Sequence, residues 1–435
     1  MPTNASGWTD ACAQSRCGGR HHRGRDRGIG PVLDAAGAVG LMDTTALKRS
    51  WTSVAAAGDD VPLYFYSHLF LSHPEVRSMF PIQMSGQRDK LVAALGAVVS
   101  NVDDLDNVMP LLEQLGRDHR RFSVATNHYD AVGASLLATL KHFLGPSWAP
   151  ELADTWAQAY GLVAKVMVAA AEQHEDIAPA YWEADVIGIE RRSVEVVVIE
   201  VAPRQEFPYR AGQSVAVEIP QRPRLWRYFS PANAPQPSGR LQFHLQPIAG
   251  GLVSSAAARR LSQGDTVKLA APVGEQLTLP GNGRVPDLLM VAGGTGLAPL
   301  RAVLDQIDRG LEASGPAPRV HLFHGSRMAW NLYDHKYLTR LASKPWFAYT
   351  PVVSEDPTYP GTQGFVGTVA AKADDWSDRT AMVCGSPAMV QHTVQELRAA
   401  GLPAASIRRE QFDFLQGSEL DDTVEIPVVA EDTRR

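Results

Sequence analysis

The chain has 435 residues, 45% of them hydrophobic and 20% charged, a composition of folded globular domains that excludes wholesale disorder, collagen-like repeats and coiled coil. One hydrophobic core stops growing well before this length, so two or three domains are expected. With 41 basic and 47 acidic residues the net charge is −6, and nothing draws the chain as a whole to nucleic acid or anionic lipid.

Residues 1–41 contain Gly-Gly and His-His pairs and five arginines (Arg16, Arg20, Arg23, Arg25, Arg27) without an apolar segment, and are expected to be a disordered extension. Cys12, Cys17, His21 and His22 lack the paired spacing of a metal site. Met42, followed by Asp43, Thr44 and Thr45, would make an alternative start with its own helix cap. Residues 42–178 read as an all-helical domain, with apolar positions three and four apart. From 179 to 285 short alternating runs such as Val194–Ile199 and Val215–Ile219, punctuated by Pro and Gly, predict an antiparallel barrel. From 286 to 415 strands and helices alternate, predicting an α/β domain with a parallel sheet. Residues 416–435 form a predicted acidic tail. Cys12, Cys17 and Cys384 are too few for a disulfide scaffold, and no run is long and apolar enough to span a bilayer; a cytoplasmic monomer without stable membrane insertion is expected.

Within the α/β region the apolar run Leu288–Ala292 leads into Gly293-Gly294-Thr295-Gly296 and then a helix. Such a turn lets backbone N–H groups approach a pyrophosphate, whose charge the helix N-terminus stabilises; a tight turn without a ligand is the bland alternative. A second turn, Cys384-Gly385-Ser386-Pro387, follows another predicted strand. Upstream, Arg227-Tyr228-Phe229-Ser230 and Gly250-Gly251-Leu252-Val253-Ser254-Ser255 offer a guanidinium for a diphosphate, rings for a flat heterocycle and small residues at a helix start. In order, these motifs resemble the ferredoxin-reductase type of FAD and NAD(P)H domains. By that resemblance Arg227, Tyr228, Phe229, Ser230, Val253, Ser254 and Ser255 hold FAD, while Gly293, Gly294, Thr295, Gly296, Cys384 and Gly385 serve the nicotinamide cofactor. Ser326 and Arg327 stand where such reductases meet the adenosine ribose, which leaves NADH or NADPH open.

In the helical region Leu111, Leu115 and His119 share one stripe, so His119 points inward; a core histidine and an iron ligand both fit that placement. Tyr66, Phe80, Gln87 and Leu91 supply the flat apolar slot and the polar groups that a porphyrin needs. The helical region resembles a globin, and residues 44–413 together resemble the flavohaemoglobins, a family of nitric oxide dioxygenases. The motifs are Tyr66-Ser67-His68-Leu69-Phe70, Gln87-Arg88-x-x-Leu91, His119, Tyr129-Asp130-x-Val132-Gly133 and Glu151-x-x-Asp154-x-Trp156. The resemblance implies haem b on His119, bound oxygen facing Tyr66 and Gln87, Phe80 packed on the porphyrin, and a proximal network of Tyr129 with Glu151. It also places Glu410 and Phe412 between flavin and haem.

Two positions depart from the family pattern: Asp118 where members carry lysine, and Phe229 where the flavin motif carries tyrosine. The expected activity is conversion of NO and O2 to nitrate with NAD(P)H as donor through FAD and haem. A reductase acting on peroxide, quinone or another acceptor, and a haem-based gas or redox sensor, are the alternatives.

Overall fold

A computed structural model describes residues 42–175, 177–247, 250–281, 284–310 and 317–410. The predicted features of 1–41 and 416–435, with Phe412, lie outside the described residues.

The helical region begins with α1 (Thr44–Ala55), whose N-cap Asp43 accepts a hydrogen bond from Ala46 N at 2.8 Å. Leu47, Trp51 and Val54 recur at helical spacing and are its buried apolar residues. There follow α2 (Asp60–Ser72), α3 (Ser85–Ser100), α4 (Leu105–His119), α5 (Thr126–Leu144) and α6 (Pro150–Glu175). Helix α4 runs closely along α6, and Gly116 is the reason it can: a Cβ there would lie 2.2 Å from the Met167 carbonyl oxygen. On α3 only Val99 is buried, because the rest of its apolar face borders a cavity.

Next comes a six-stranded antiparallel sheet of β1 (Trp182–Arg191), β2 (Val197–Pro203), β3 (Val215–Glu218), β4 (Trp226–Phe229), β5 (Leu241–Leu245) and β6 (Thr266–Leu269), ordered β4-β3-β6-β1-β2-β5. Trp182, Ala184 and Val186 alternate into its core as a strand with one covered face requires. Helix α7 (Leu252–Arg260) joins β5 to β6.

The last region has an all-parallel sheet, ordered β10-β9-β8-β7-β11-β12. Its members are β7 (Leu288–Gly293), β8 (Val320–Ser326), β9 (Phe347–Val353), β10 (Thr362–Gln363), β11 (Thr380–Cys384) and β12 (Ile407–Arg409). Helices α8 (Leu297–Gly310), α9 (His335–Leu341), α10 (Val366–Ala373) and α11 (Pro387–Ala399) connect them. Central β7 is buried on both faces: Leu288, Met290 and Ala292 enter one core, Leu289 and Val291 the other. The chain leaves β7 toward β8 and returns on the far side as β11, so the carboxyl ends of β7 and β11 flank a topological switch point where open α/β sheets take ligands.

Candidate functional site

A cavity of about 1000 Å³ opens inside the helical region. Tyr66, Phe80, Gln87, Leu91, His119 and Tyr129 all line it, so the structure brings together the residues expected around a porphyrin, apart from Glu151. His119 ends α4, and its Nδ1 pairs with the Leu115 carbonyl oxygen at 2.6 Å, which fixes the ring and leaves Nε2 as the nitrogen that could ligate a metal. Burial pushes the imidazole pKa down, favouring the neutral form that binds iron; the Leu115 bond and Asp118 act in the opposite sense. Tyr66 is buried, stands edge-on to Phe80 with ring centres 5.6 Å apart, and donates to the Gln87 carbonyl oxygen at 3.3 Å. Burial raises its pKa, so the phenol keeps its proton. Arg77 holds the turn that presents Phe80 by donating to the carbonyls of Phe80 and Pro81 at 3.2 and 3.1 Å.

Glu151 is not part of this assembly. It is exposed in the first turn of α6, where its backbone carbonyl accepts from Thr155 Oγ1, and it does not line the cavity. The tyrosine that reaches Tyr129 is Tyr160, whose hydroxyl donates to the Tyr129 carbonyl oxygen at 2.6 Å.

A second cavity, about 850 Å³, lies against the carboxyl edge of the parallel sheet. It is lined by Arg227, Tyr228, Phe229 and Ser230 from the β4 end, by Ser254, and by Gly293, Gly294, Thr295 and Gly296. Ser326, Arg327, Cys384, Gly385 and Glu410 complete the predicted set on its wall. Val253 faces the larger cavity, and Ser255, inside α7, lines neither. Gly296 permits the two turns to meet: a Cβ would lie 2.3 Å from the Cys384 carbonyl oxygen. The sequence motifs do not reveal how Glu410 is held. The Cys384 thiol donates to its Oε2 at 2.6 Å and Ser214 Oγ to its Oε1 at 3.4 Å, while Ser214 and Ser230 hydroxyls are 3.0 Å apart. Burial raises the pKa of Glu410 and lifts that of the thiol further, while the hydrogen bonds from Cys384, Ser214 and Ser230 favour the Glu410 carboxylate. Ser214 belongs to no motif, and only its bridge to Val273 across the barrel places it there.

The residues present fit both prosthetic groups: one neutral imidazole on an apolar chamber suits haem iron, and an arginine, rings and close-packed glycine turns suit a dinucleotide. Among the described residues no cluster of three or more His, Cys, Asp or Glu could hold a metal ion, and no helix is long and apolar enough to cross a membrane.

Comparison with known proteins agrees. Family models for globin, oxidoreductase FAD-binding domain and oxidoreductase NAD-binding domain match residues 63–167, 189–277 and 290–395. The flavohaemoprotein of Bacillus subtilis is 25% identical over 379 residues, 82% of this chain and 92% of that protein. That of Rhodopirellula baltica is 26% identical over 399 residues, 84% of this chain and 96% of that protein. The crystal structure of flavohaemoglobin from Malassezia yamatoensis with bound FAD and haem shares the fold, with a TM-score of 0.67 over 85% of this chain and 98% of that one at 16% identity. Fold and cavities together define an oxidoreductase in which a nicotinamide nucleotide, FAD and a globin haem are carried on one polypeptide. The chain belongs to the flavohaemoproteins.

Proposed function

We propose that the chain is a nitric oxide dioxygenase, in which one NO and one O2 together take up a single electron and leave as one nitrate, so that each NAD(P)H, giving two electrons, supports two nitrates and releases one proton. Bound haem would supply oxygen binding and one-electron chemistry, and bound FAD the conversion of a hydride into single electrons. Around these groups the protein binds, orients and holds protons. His119 would ligate iron through Nε2. Tyr66 and Gln87 are the polar groups for the opposite side, and the observation that carries this reading is the buried, still protonated Tyr66 phenol on the cavity that His119 lines. The Tyr66 hydroxyl, which here donates to the Gln87 carbonyl oxygen, would be the donor available to a ligand in the chamber, and Phe80 and Leu91 would keep water out.

On the reductase side Arg227 would neutralise the FAD diphosphate, and Ser230, Cys384 and Glu410 form the hydrogen-bonded edge where hydride arrives. The glycine turn at 293–296 would take the nicotinamide pyrophosphate and Ser326 with Arg327 its ribose end. In air, the loaded protein with NAD(P)H is expected to consume NO and form nitrate, and Tyr66→Phe to slow this about 10–100-fold while leaving NAD(P)H oxidation by an artificial acceptor unchanged. NAD(P)H oxidation by such acceptors without nitrate would instead identify a reductase for another acceptor.

A further inference from the structure

Several cations line the haem chamber, Arg117 and Arg224 among them, and three influence one another: Lys90 from α3, Arg121 just past α4 and Arg227 from β4. Burial first, then the charges of Arg227 and Arg121, lower the Lys90 ammonium to about 8. Arg121 is the most constrained, 11% exposed, with its guanidinium 5.4 Å from the Phe122 ring centre and 5.2 Å from that of Trp226. Its Nε and Nη1 are buried without a hydrogen-bond acceptor among the described residues. Asp118 does not serve: its Oδ1 stands 3.7 Å from Nη1, beyond hydrogen-bond reach, and accepts from Gln114 Nε2 at 3.2 Å.

A guanidinium held against two rings at the rim of a cavity, with a long ion pair to Asp118 and no hydrogen-bond acceptor on Nε or Nη1 among the described residues, can take an anion from the chamber. Arg121 is two residues beyond the iron-ligating position, and the group expected in the chamber carries two carboxylates on one edge. We propose that Arg121, with Lys90, grips the propionate carboxylates of the haem. The assignment rests on the haem reading of His119. It gives this chain a propionate anchor after the proximal histidine, where the residue before it, Asp118, is acidic. The other anions expected in the two chambers are the diphosphate of FAD, for which Arg227 on the wall between them is placed, and the nicotinamide pyrophosphate at the 293–296 turn, on the side away from Arg121 and Lys90.

The test reconstitutes the full FAD-loaded chain with hemin or with hemin dimethyl ester, in which both carboxylates are masked, and follows loss of each porphyrin to an excess of apoglobin at the Soret band. The unsubstituted chain should lose the ester about tenfold faster than hemin. Arg121→Gln and Lys90→Gln should each bring hemin loss toward the ester rate without changing the ester rate, and Arg121→Lys should keep most of the difference. A variant that merely loosens the fold would accelerate both porphyrins alike, which overturns the assignment. Equal rates for the two porphyrins in the unsubstituted chain overturn it as well, as does an Arg121→Gln effect confined to FAD retention. If neither porphyrin gives a Soret band, the haem reading itself falls and takes this assignment with it.

Discussion

The globin and the nucleotide-binding regions solve the problem of an interior in opposite ways. Around β7, successive side chains enter two cores and Leu288 to Ala292 are all completely inaccessible, so the nucleotide-binding sheet is packed to completion by its own residues. Around the chamber of about 1000 Å³, by contrast, Phe80, Leu91 and Leu95 are only half-buried and α3 commits a single residue to the closed core. One region closes on protein alone; the other arranges its apolar side chains around the place of a prosthetic group. Both regions gain stability from their ligands by mass action, but only the second needs one to fill its interior.

The contrast breaks first under haem removal. At a thousandfold excess of haem over its Kd the globin region should gain about 4 kcal/mol relative to the haem-free protein. Calorimetry should therefore show the helical transition moving while the nucleotide-binding transition stays in place.

Acid should expose a weakness of the nucleotide-binding region that haem does not touch. His324 on β8 is fully inaccessible, and burial holds its imidazole down at about 4, against about 6.5 in an unfolded chain. Between those values the unfolded state binds more protons, so the stabilisation is complete above about pH 6.5 and declines by about 3 kcal/mol as pH falls to 4. Half-buried His321, also lowered to about 4 chiefly by burial, acts in the same direction. Urea unfolding read by flavin fluorescence across this range should show the slope, and His324→Leu should flatten it.

The smallest effect sharpens the comparison at the start of the globin. Asp43→Ala removes the α1 cap and should cost about 1 kcal/mol, equally in haem-loaded and haem-free protein, because that cap faces solvent and not the chamber. A larger cost in one of the two forms, measured by urea denaturation, would mean that the cap is coupled to the chamber through Leu47, which lines it.

The strength of each periodic or contiguous signal decided what could be read in advance. The run Leu288–Ala292 followed by the glycine turn announced a buried parallel strand and a helix start, and the antiparallel and helical regions follow from alternation and from three–four spacing. His119 was legible because Leu111 and Leu115 share its stripe. Glu151 stands out in the sequence only by its place in a motif, and the register of α6 leaves it exposed and gives the contact with Tyr129 to Tyr160, nine positions later. Arg121, Lys90 and Ser214 carry no signature at all, since each acquires meaning only when separate segments converge. The same holds for Asp334, which starts α9 in a left-handed conformation and is buried between Arg301, at 2.9 Å, and Arg192 of the barrel. Three residues so far apart in sequence cannot be paired from pattern alone.

The thin partition formed by Arg227, Tyr228 and Gly250 borders both chambers at once. Natural variation at these positions is therefore pleiotropic: a replacement that retunes the flavin also retunes its neighbour. A substitution at any of the three should therefore register in the optical spectra of both prosthetic groups at once.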